Sequence, residues 1–319
     1  MQENSAQYRI QMFSGGLGNQ MMEYIFLRYA ERRRPEAIWI LDDLFYHAYD
    51  YLPVLQQFEN IFHVKWKRIS QLCEEDTLEE LIRLYRKNIR LPQILLSQGI
   101  PVIRVSEYTY GLFQGMTLKK KRGYSPEILN LSDRYVYYDS IFMDRCWFMQ
   151  DREENLAELA FPPLLDARNQ RYADAIRANI SVGIHVRRGD FLQVGWAFHT
   201  AAYRKSCEMV LERYPDAWFF VFSNDLDWCR RHAAELGFNF SKHTVYVSGN
   251  EAFEKNYMDM QLLSMCRGMI RLGLSTFSSV ASWIDQNLAF EALIGDLYGY
   301  RLEAQDAVTF LERNQTAPI

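Results

Sequence analysis

Apolar residues recur along this chain at spacings that divide it into strands and helices. Residues 8–13 read as a first strand, which breaks into Ser14-Gly15-Gly16-Leu17-Gly18-Asn19-Gln20. Met21, Met22, Ile25, Phe26 and Tyr29 then recur at spacings of three and four, which predicts a helix over 21–34 with one buried face. Pro35 stops it. A second strand over 37–41 makes the opening β-α-β and predicts a parallel sheet. The next hundred or so residues are less regular. They give a helix at 78–89, strands at 102–108 and 134–138, a glycine-rich loop over 111–123, and the start of a helix at 152–159.

Phe161-Pro162-Pro163 is the clearest punctuation in the chain. A boundary just before it gives an N-terminal α/β domain over 1–155 and a C-terminal one over 156–319. In the second domain strands at 181–186, 217–222, 244–247 and 268–272 alternate with helices at 200–213, 226–236, 253–264 and 277–289. That rhythm is a doubly wound sheet, which binds ligands outside the carboxyl ends of its strands. Three polar loops fall there: Arg187-Arg188-Gly189-Asp190, Ser223-Asn224-Asp225 and Ser275-Thr276.

In the strand at 181–186, Val182, Ile184 and Val186 share one face, while Gly183, His185 and Arg187 share the other. Two arginines at a strand end suit the clamping of a diphosphate. They equally suit a surface ion-pair cluster with Asp190. Ser275-Thr276-Phe277-Ser278 opens a helix, where backbone N–H groups and hydroxyls bind anions or serve as an ordinary cap. Asp225-Leu226-Asp227 has the D-x-D form of metal-dependent sugar-nucleotide enzymes, although three residues match that form easily by chance. Asp225 is alternatively an acceptor for a base or ribose. The loop over 15–20 invites a dinucleotide reading, with Asp42 as the acidic partner, and hence an NAD(P)-dependent oxidoreductase. Met21 occupies the site of the third glycine, which weakens that reading. Otherwise small residues there let a sugar approach the backbone while Asn19 and Gln20 offer amides.

Composition narrows the class. The chain has 319 residues, 49% hydrophobic and 24% charged, with a net charge of −4, so it is globular and not a nucleic-acid-binding chain. The short runs Arg32-Arg33-Arg34 and Lys119-Lys120-Lys121-Arg122 are expected on solvated faces, or against anionic headgroups at a membrane surface. Aromatics at 15% suit core packing and carbohydrate contact. Five scattered cysteines, none in CxxC spacing, argue against disulfides and a zinc site and fit a reducing cytoplasm. The first residues carry no signal-peptide pattern, and no apolar run is long enough to span a bilayer. The expected location is cytoplasmic, with peripheral attachment at the inner face of the membrane as its extension.

Five ordered blocks resemble the α-1,2-fucosyltransferases of glycosyltransferase family 11. Gly15-Gly16-Leu17-Gly18-Asn19-Gln20-Met21-Met22-Glu23-Tyr24 resembles that family's GGLGNQMFQY, and His185-Val186-Arg187-Arg188-Gly189-Asp190 its HxRRxD. Phe222-Ser223-Asn224-Asp225 with Trp228-Cys229 resembles FSDDxxWC. The stretch from Asp259 to Cys266 resembles DMxLMSxC, and Ser275-Thr276-Phe277-Ser278 resembles NSTFSWWAAWL, with Leu274 in the place of its Asn. Leu274, Ser279-Val280 and the segment at 138–143 depart from the family pattern.

The resemblance implies a GT-B-like fold of two Rossmann-like domains facing a central cleft. It implies inverting, metal-independent transfer of fucose from GDP-fucose to a galactose hydroxyl of a glycan acceptor, with no cofactor beyond the donor. His185, Arg187, Arg188 and Asp190 are the expected catalytic residues. Ser223, Asp225, Ser275, Thr276, Phe277 and Ser278 join the two arginines on GDP. Gly16, Gly18, Asn19 and Gln20 face fucose or acceptor. Asp190, Asp139 and Asp42 are the candidate bases.

Overall fold

A computed structural model describes residues 6–107, 117–120, 123–193, 199–295 and 307–313, without the side chains of 117–120 and Asp190. The chain divides into two compact units, Met1–Phe161 and Pro162–Ile319. Each is built on its own sheet, in agreement with the GT-B-like expectation.

The first unit holds β1 (Tyr8–Met12), β2 (Ile38–Asp42), β3 (Ile103–Ser106), β4 (Thr117–Lys120) and β5 (Tyr135–Tyr138), in the order β2-β1-β5-β3-β4. All four pairings are parallel, with Ile10 opposite both Ile40 and Tyr137. β4 lies where a loop was expected; residues 111–116 and 121–122 of that loop are outside the described residues. The first helix runs Leu17–Arg33 and begins four residues before the apolar pattern does, so Leu17-Gly18-Asn19-Gln20 form its first turn. Phe26 from this helix stacks on Phe142 at 3.7 Å between ring centroids and meets Trp147 edge-on. Short helices at Leu44–Ala48, Leu52–Phe62, Ile69–Leu72 and Leu91–Ser97 fill the stretch that the periodicity left open.

The second unit holds β6 (Ser181–Val186), β7 (Trp218–Ser223), β8 (Thr244–Tyr246), β9 (Gly268–Leu272), β10 (Phe290–Ile294) and β11 (Val308–Glu312), in the order β11-β10-β9-β6-β7-β8. Only β11 is antiparallel. Every residue of β6 is buried, as a central parallel strand covered on both faces requires. On one face Val182, Ile184 and Val186 join a core with Tyr203, Cys207 and Val210 of the helix Thr200–Arg213. On the other, Gly183 is a close-approach site: a Cβ there would collide with Leu263 and press on the Cys266 sulfur.

The basic run Arg32-Arg33-Arg34 is not a free face. Arg32 and Arg33 pair with Asp151 at 3.0 and 2.9 Å, and Arg32 also pairs with Glu158 at 2.8 Å. Arg34 is tied to Glu36, the Leu129 carbonyl and Gln7. These charges serve the unit's own structure, so the expected contact with headgroups finds no support in them. Among the described residues no helix is long and apolar enough to cross a membrane.

Candidate functional site

β6 sits where strand order reverses: β7 and β8 extend from one side of it, β9 and β10 from the other. A crevice at the carboxyl ends of two such strands is where doubly wound sheets hold ligands. Here β6 delivers Arg187-Arg188-Gly189 and β9 delivers Gly273-Leu274-Ser275 into the helix Thr276–Ile284. β7 adds Ser223-Asn224-Asp225 from the side.

Packing across this junction is specific. His185 is buried and its ring stacks on Phe277 at 5.2 Å and 23°, tying β6 to the first turn of the helix after β9. Tyr203 donates its hydroxyl to the His185 carbonyl at 3.2 Å. Burial first, and then the charge of Arg187, lower the His185 pKa to about 3. The imidazole is therefore neutral near pH 7 and brings no cation to the site. Its Nδ1 is buried with no protein partner.

Arg188 is held at several points. Its backbone N–H donates to Asn224 Oδ1 at 2.9 Å, and its Nε to Asp225 Oδ2 at 3.3 Å. Its guanidinium carbon lies 3.5 Å from the Trp228 ring centroid. Gly189 follows because a Cβ there would collide with the Asn224 amide. The expected partner was Asp190, whose side chain lies outside the described residues. Arg187 is only partly buried, with its guanidinium carbon 5.9 Å from the Phe191 ring.

Several expected donor contacts turn inward. Asp225 caps the helix Leu226–Arg231, its Oδ1 accepting from the Trp228 N–H at 3.1 Å, so both oxygens already serve protein donors. Ser223 Oγ accepts the Asp225 N–H at 3.0 Å and closes the same turn. Asp227 pairs with Arg230 at 2.8 Å, which leaves the D-x-D carboxylates apart in role. Among the described residues no group of three or more His, Cys, Asp and Glu is arranged to hold a metal ion. Ser278 is fully buried and donates back to the Ser275 carbonyl at 3.4 Å, so it braces the helix start from inside. Ser275 is buried too, but makes no side-chain cap, while Thr276 and Phe277 remain partly exposed.

In the first unit the glycine loop follows β1. Gly15 has φ +76, and a Cβ on it would collide with the Asn19 amide. Gly16 is exposed with ordinary backbone angles, and a Cβ on it would meet nothing within 4 Å. Asn19 is half-buried. Gly18 and Gln20 are not where sugar contact was expected. Gly18 is buried inside the helix, and Gln20 is 1% exposed, with its amide donating to the Val54 carbonyl at 3.3 Å. Asp42 is sealed beneath Tyr137, whose hydroxyl donates to it at 2.7 Å, and it also accepts the Leu44 N–H. It is reachable neither by a ribose, as the dinucleotide reading needs, nor by an acceptor, as a base would need. Asp139, after β5, keeps 20% of its side chain exposed and is ion-paired with Arg104.

Trp228 and Asn224 were missed as site residues, although both flank Asp225 in the same stretch. The signal was the cap itself: an Asp at a strand end followed three residues later by an aromatic.

Comparison with known proteins gives the family. The Glycosyl transferase family 11 profile matches residues 121–307, more than half of the chain. An α-1,2-colitosyltransferase of Escherichia coli is 28% identical over 167 residues, covering 50% of this chain and 55% of that protein. The Escherichia coli O-antigen biosynthesis glycosyltransferase WbnK is 25% identical over 288 residues, covering 85% and 88%. Galactoside α-(1,2)-fucosyltransferase 1 of Leontopithecus chrysomelas is 27% identical over 173 residues, covering 50% and 46%. The match thus spans about half the length of the first and third of these relatives. Fucosyltransferase NodZ from Bradyrhizobium shares the fold, with a TM-score of 0.53 over 97% of this chain and 99% of that one at 13% identity. With the arginine-bearing switch point and the helix start after β9 both inside the matched stretch, this chain belongs to glycosyl transferase family 11.

Proposed function

We propose that the protein is an inverting galactoside α-1,2-fucosyltransferase. It moves L-fucose from GDP-fucose to the 2-hydroxyl of a terminal β-galactose on an oligosaccharide or surface polysaccharide, without a divalent metal. One observation carries this reading: two adjacent arginines and a helix start converge at the switch point of the second sheet. As the bond from the sugar C1 to the β-phosphate oxygen breaks, negative charge grows on the diphosphate, and fixed donors aimed at it lower the barrier. Arg187 takes the diphosphate, Arg188 stands beside it, and the first turn from Thr276 adds its N–H dipoles. Neutral His185 orients the donor. The acceptor oxygen bonds to C1 as GDP leaves, and its proton passes to a carboxylate base. The relatives named as α-1,2-colitosyl- and α-(1,2)-fucosyltransferases support the linkage, and WbnK supports a polysaccharide acceptor.

The test is turnover with GDP-fucose and a β-galactoside in excess EDTA, followed by NMR assignment of the product. We expect undiminished turnover and an α-1,2-linked fucose of inverted anomeric configuration. Loss of activity in EDTA that manganese restores removes the metal-free part, and another linkage removes the regiochemistry. GDP-colitose runs in parallel, because the E. coli relative is named for colitose. A higher kcat/KM for it reassigns the donor.

A further inference from the structure

We propose that the turn from Phe45 to Tyr51 is a saccharide-binding shelf, a subsite for acceptor residues beyond the sugar that reacts; it rests on the glycosyltransferase reading above. Among the described residues six large apolar side chains are exposed, and two of them are Tyr49 (42%) and Tyr51 (48%). Partly exposed Phe45 lies between them, its ring centroid 5.3 Å from Tyr49 and 5.7 Å from Tyr51. Three rings thus form one edge, half in water.

The turn is built to hold that position. It leaves the carboxyl end of β2, the end at which parallel sheets meet ligands. The Tyr51 N–H donates to the Tyr46 carbonyl at 2.8 Å, and the Tyr49 N–H to the Phe45 carbonyl at 3.2 Å. Asp50 sits between the tyrosines at φ 58, a left-handed conformation that a short polar side chain tolerates. Beneath the shelf, the fully buried Tyr46 donates its hydroxyl to the Gly15 carbonyl at 3.1 Å, and Gln20 reaches the Val54 carbonyl just past Tyr51. The shelf is therefore fastened on two sides to the glycine loop, whose exposed Gly16 faces open space.

Charge decides the chemistry of the occupant. The basic groups around the turn are already engaged: His47 with Asp43 at 3.4 Å, Arg86 with the Ala48 carbonyl at 2.9 Å, and Arg90 over the Tyr85 ring at 3.8 Å. Asp50, exposed between the two tyrosines, puts a negative charge at the same edge, which disfavours a phosphate there. Aromatic faces, two phenol hydroxyls and the Asp50 carboxylate suit a neutral polyhydroxyl ligand. The C–H faces of a pyranose lie on rings while its hydroxyls reach polar tips.

The experiment uses the full chain with the pairs Tyr49→Ala/Tyr51→Ala and Tyr49→Phe/Tyr51→Phe, and two acceptors, methyl β-galactoside and a galactose-terminated tetrasaccharide. The alanine pair is expected to raise KM for the tetrasaccharide about tenfold. It should leave KM for the methyl galactoside and the calorimetric dissociation constant for GDP unchanged, and the phenylalanine pair should restore most of the loss. A tetrasaccharide KM equal to that of the unaltered protein overturns the shelf. If GDP-fucose proves not to be the donor, saturation-transfer NMR with the same tetrasaccharide still reads the site without turnover. Transfer that the alanine pair abolishes supports the shelf; transfer that is absent, or unchanged in the variant, overturns it. Dimerisation lost in the alanine pair with saccharide transfer unchanged assigns the rings to self-association instead.

Discussion

Arg187 and Arg188 are neighbours in sequence with different surroundings. The ion pair from Arg188 to Asp225 leaves Asp225 37% exposed, so solvent screens it and it contributes at most about 1 kcal/mol. The Trp228 ring under the guanidinium contributes a comparable amount, about 0.5–1 kcal/mol. That ring is itself packed against His232 at 4.4 Å and 21°. Neither contact alone fixes Arg188, but together with the Asn224 hydrogen bond they hold the chain and the side chain of one residue. We predict that Trp228→Ala lowers kcat/KM for the donor roughly tenfold in the native background and hardly at all in an Arg188→Ala background. Trp228→Phe should recover part of the loss. Equal losses in both backgrounds would mean that Trp228 does not act through Arg188. Arg187→Ala should remove most donor binding, read by calorimetry with GDP, because Arg188 is tied to Asp225 and Trp228 and does not take its place.

At the scale of elements, what was legible depended on whether an apolar run stands apart from its neighbours in sequence. β6, β7 and β9 are central parallel strands, and their apolar runs end in Arg, Asn, Asp and Ser that mark the ligand end. β10 was hidden: residues 277–289 read as one helix, yet the helix stops at Ile284. Asp285 Oδ1 accepts the Asn287 N–H at 2.7 Å, an Asx turn that competes with the next helical hydrogen bond. Glu291, the second residue of β10, is buried in a cluster that neutralises it. Arg271 of β9 donates to it at 2.6 Å and Arg313 at 3.1 Å, with Ser279 and Ser282 of the helix joining the cluster. Burial pushes the Glu291 pKa up, but the two guanidinium groups outweigh it and bring it down to about 2. Glu291→Gln leaves two buried arginines without a counter-charge. The expected cost is about 3–5 kcal/mol in urea unfolding. A loss under about 1 kcal/mol would show that the arginines find other partners. The glycine loop was misjudged for a related reason: periodicity saw apolar residues only from Met21, while the first turn from Leu17 is held by backbone hydrogen bonds.

Across the whole molecule, Glu23, Asp42, Glu59, Asp259 and Asp285 are all shifted upward among the described residues and give stability a pH dependence. Burial is the first cause in each: Asp42 rises to about 6, Asp259 to about 7 and Asp285 to about 8. A carboxyl whose folded pKa is raised binds more protons folded than unfolded between its ordinary value and its folded value. Stability therefore falls as pH rises through that window. Glu291 acts oppositely, but its contribution is lost only as pH drops below the ordinary carboxylate range. The protein should be more stable in mildly acidic solution than at neutrality, with the slope continuing to about pH 8 because of Asp285. Its Oδ2 is buried without a partner, while Oδ1 holds the Asn287 N–H. Asp285→Asn keeps that hydrogen bond and removes the ionisation. Thermal melts between about pH 6 and 9 should show Tm falling with pH in the native protein. The fall should be shallower in the variant, with the two curves diverging most above pH 7, where deprotonating Asp285 in the fold is most costly. Parallel curves would mean that the Asp285 carboxyl is already ionised in the folded state and that its raised pKa is not felt.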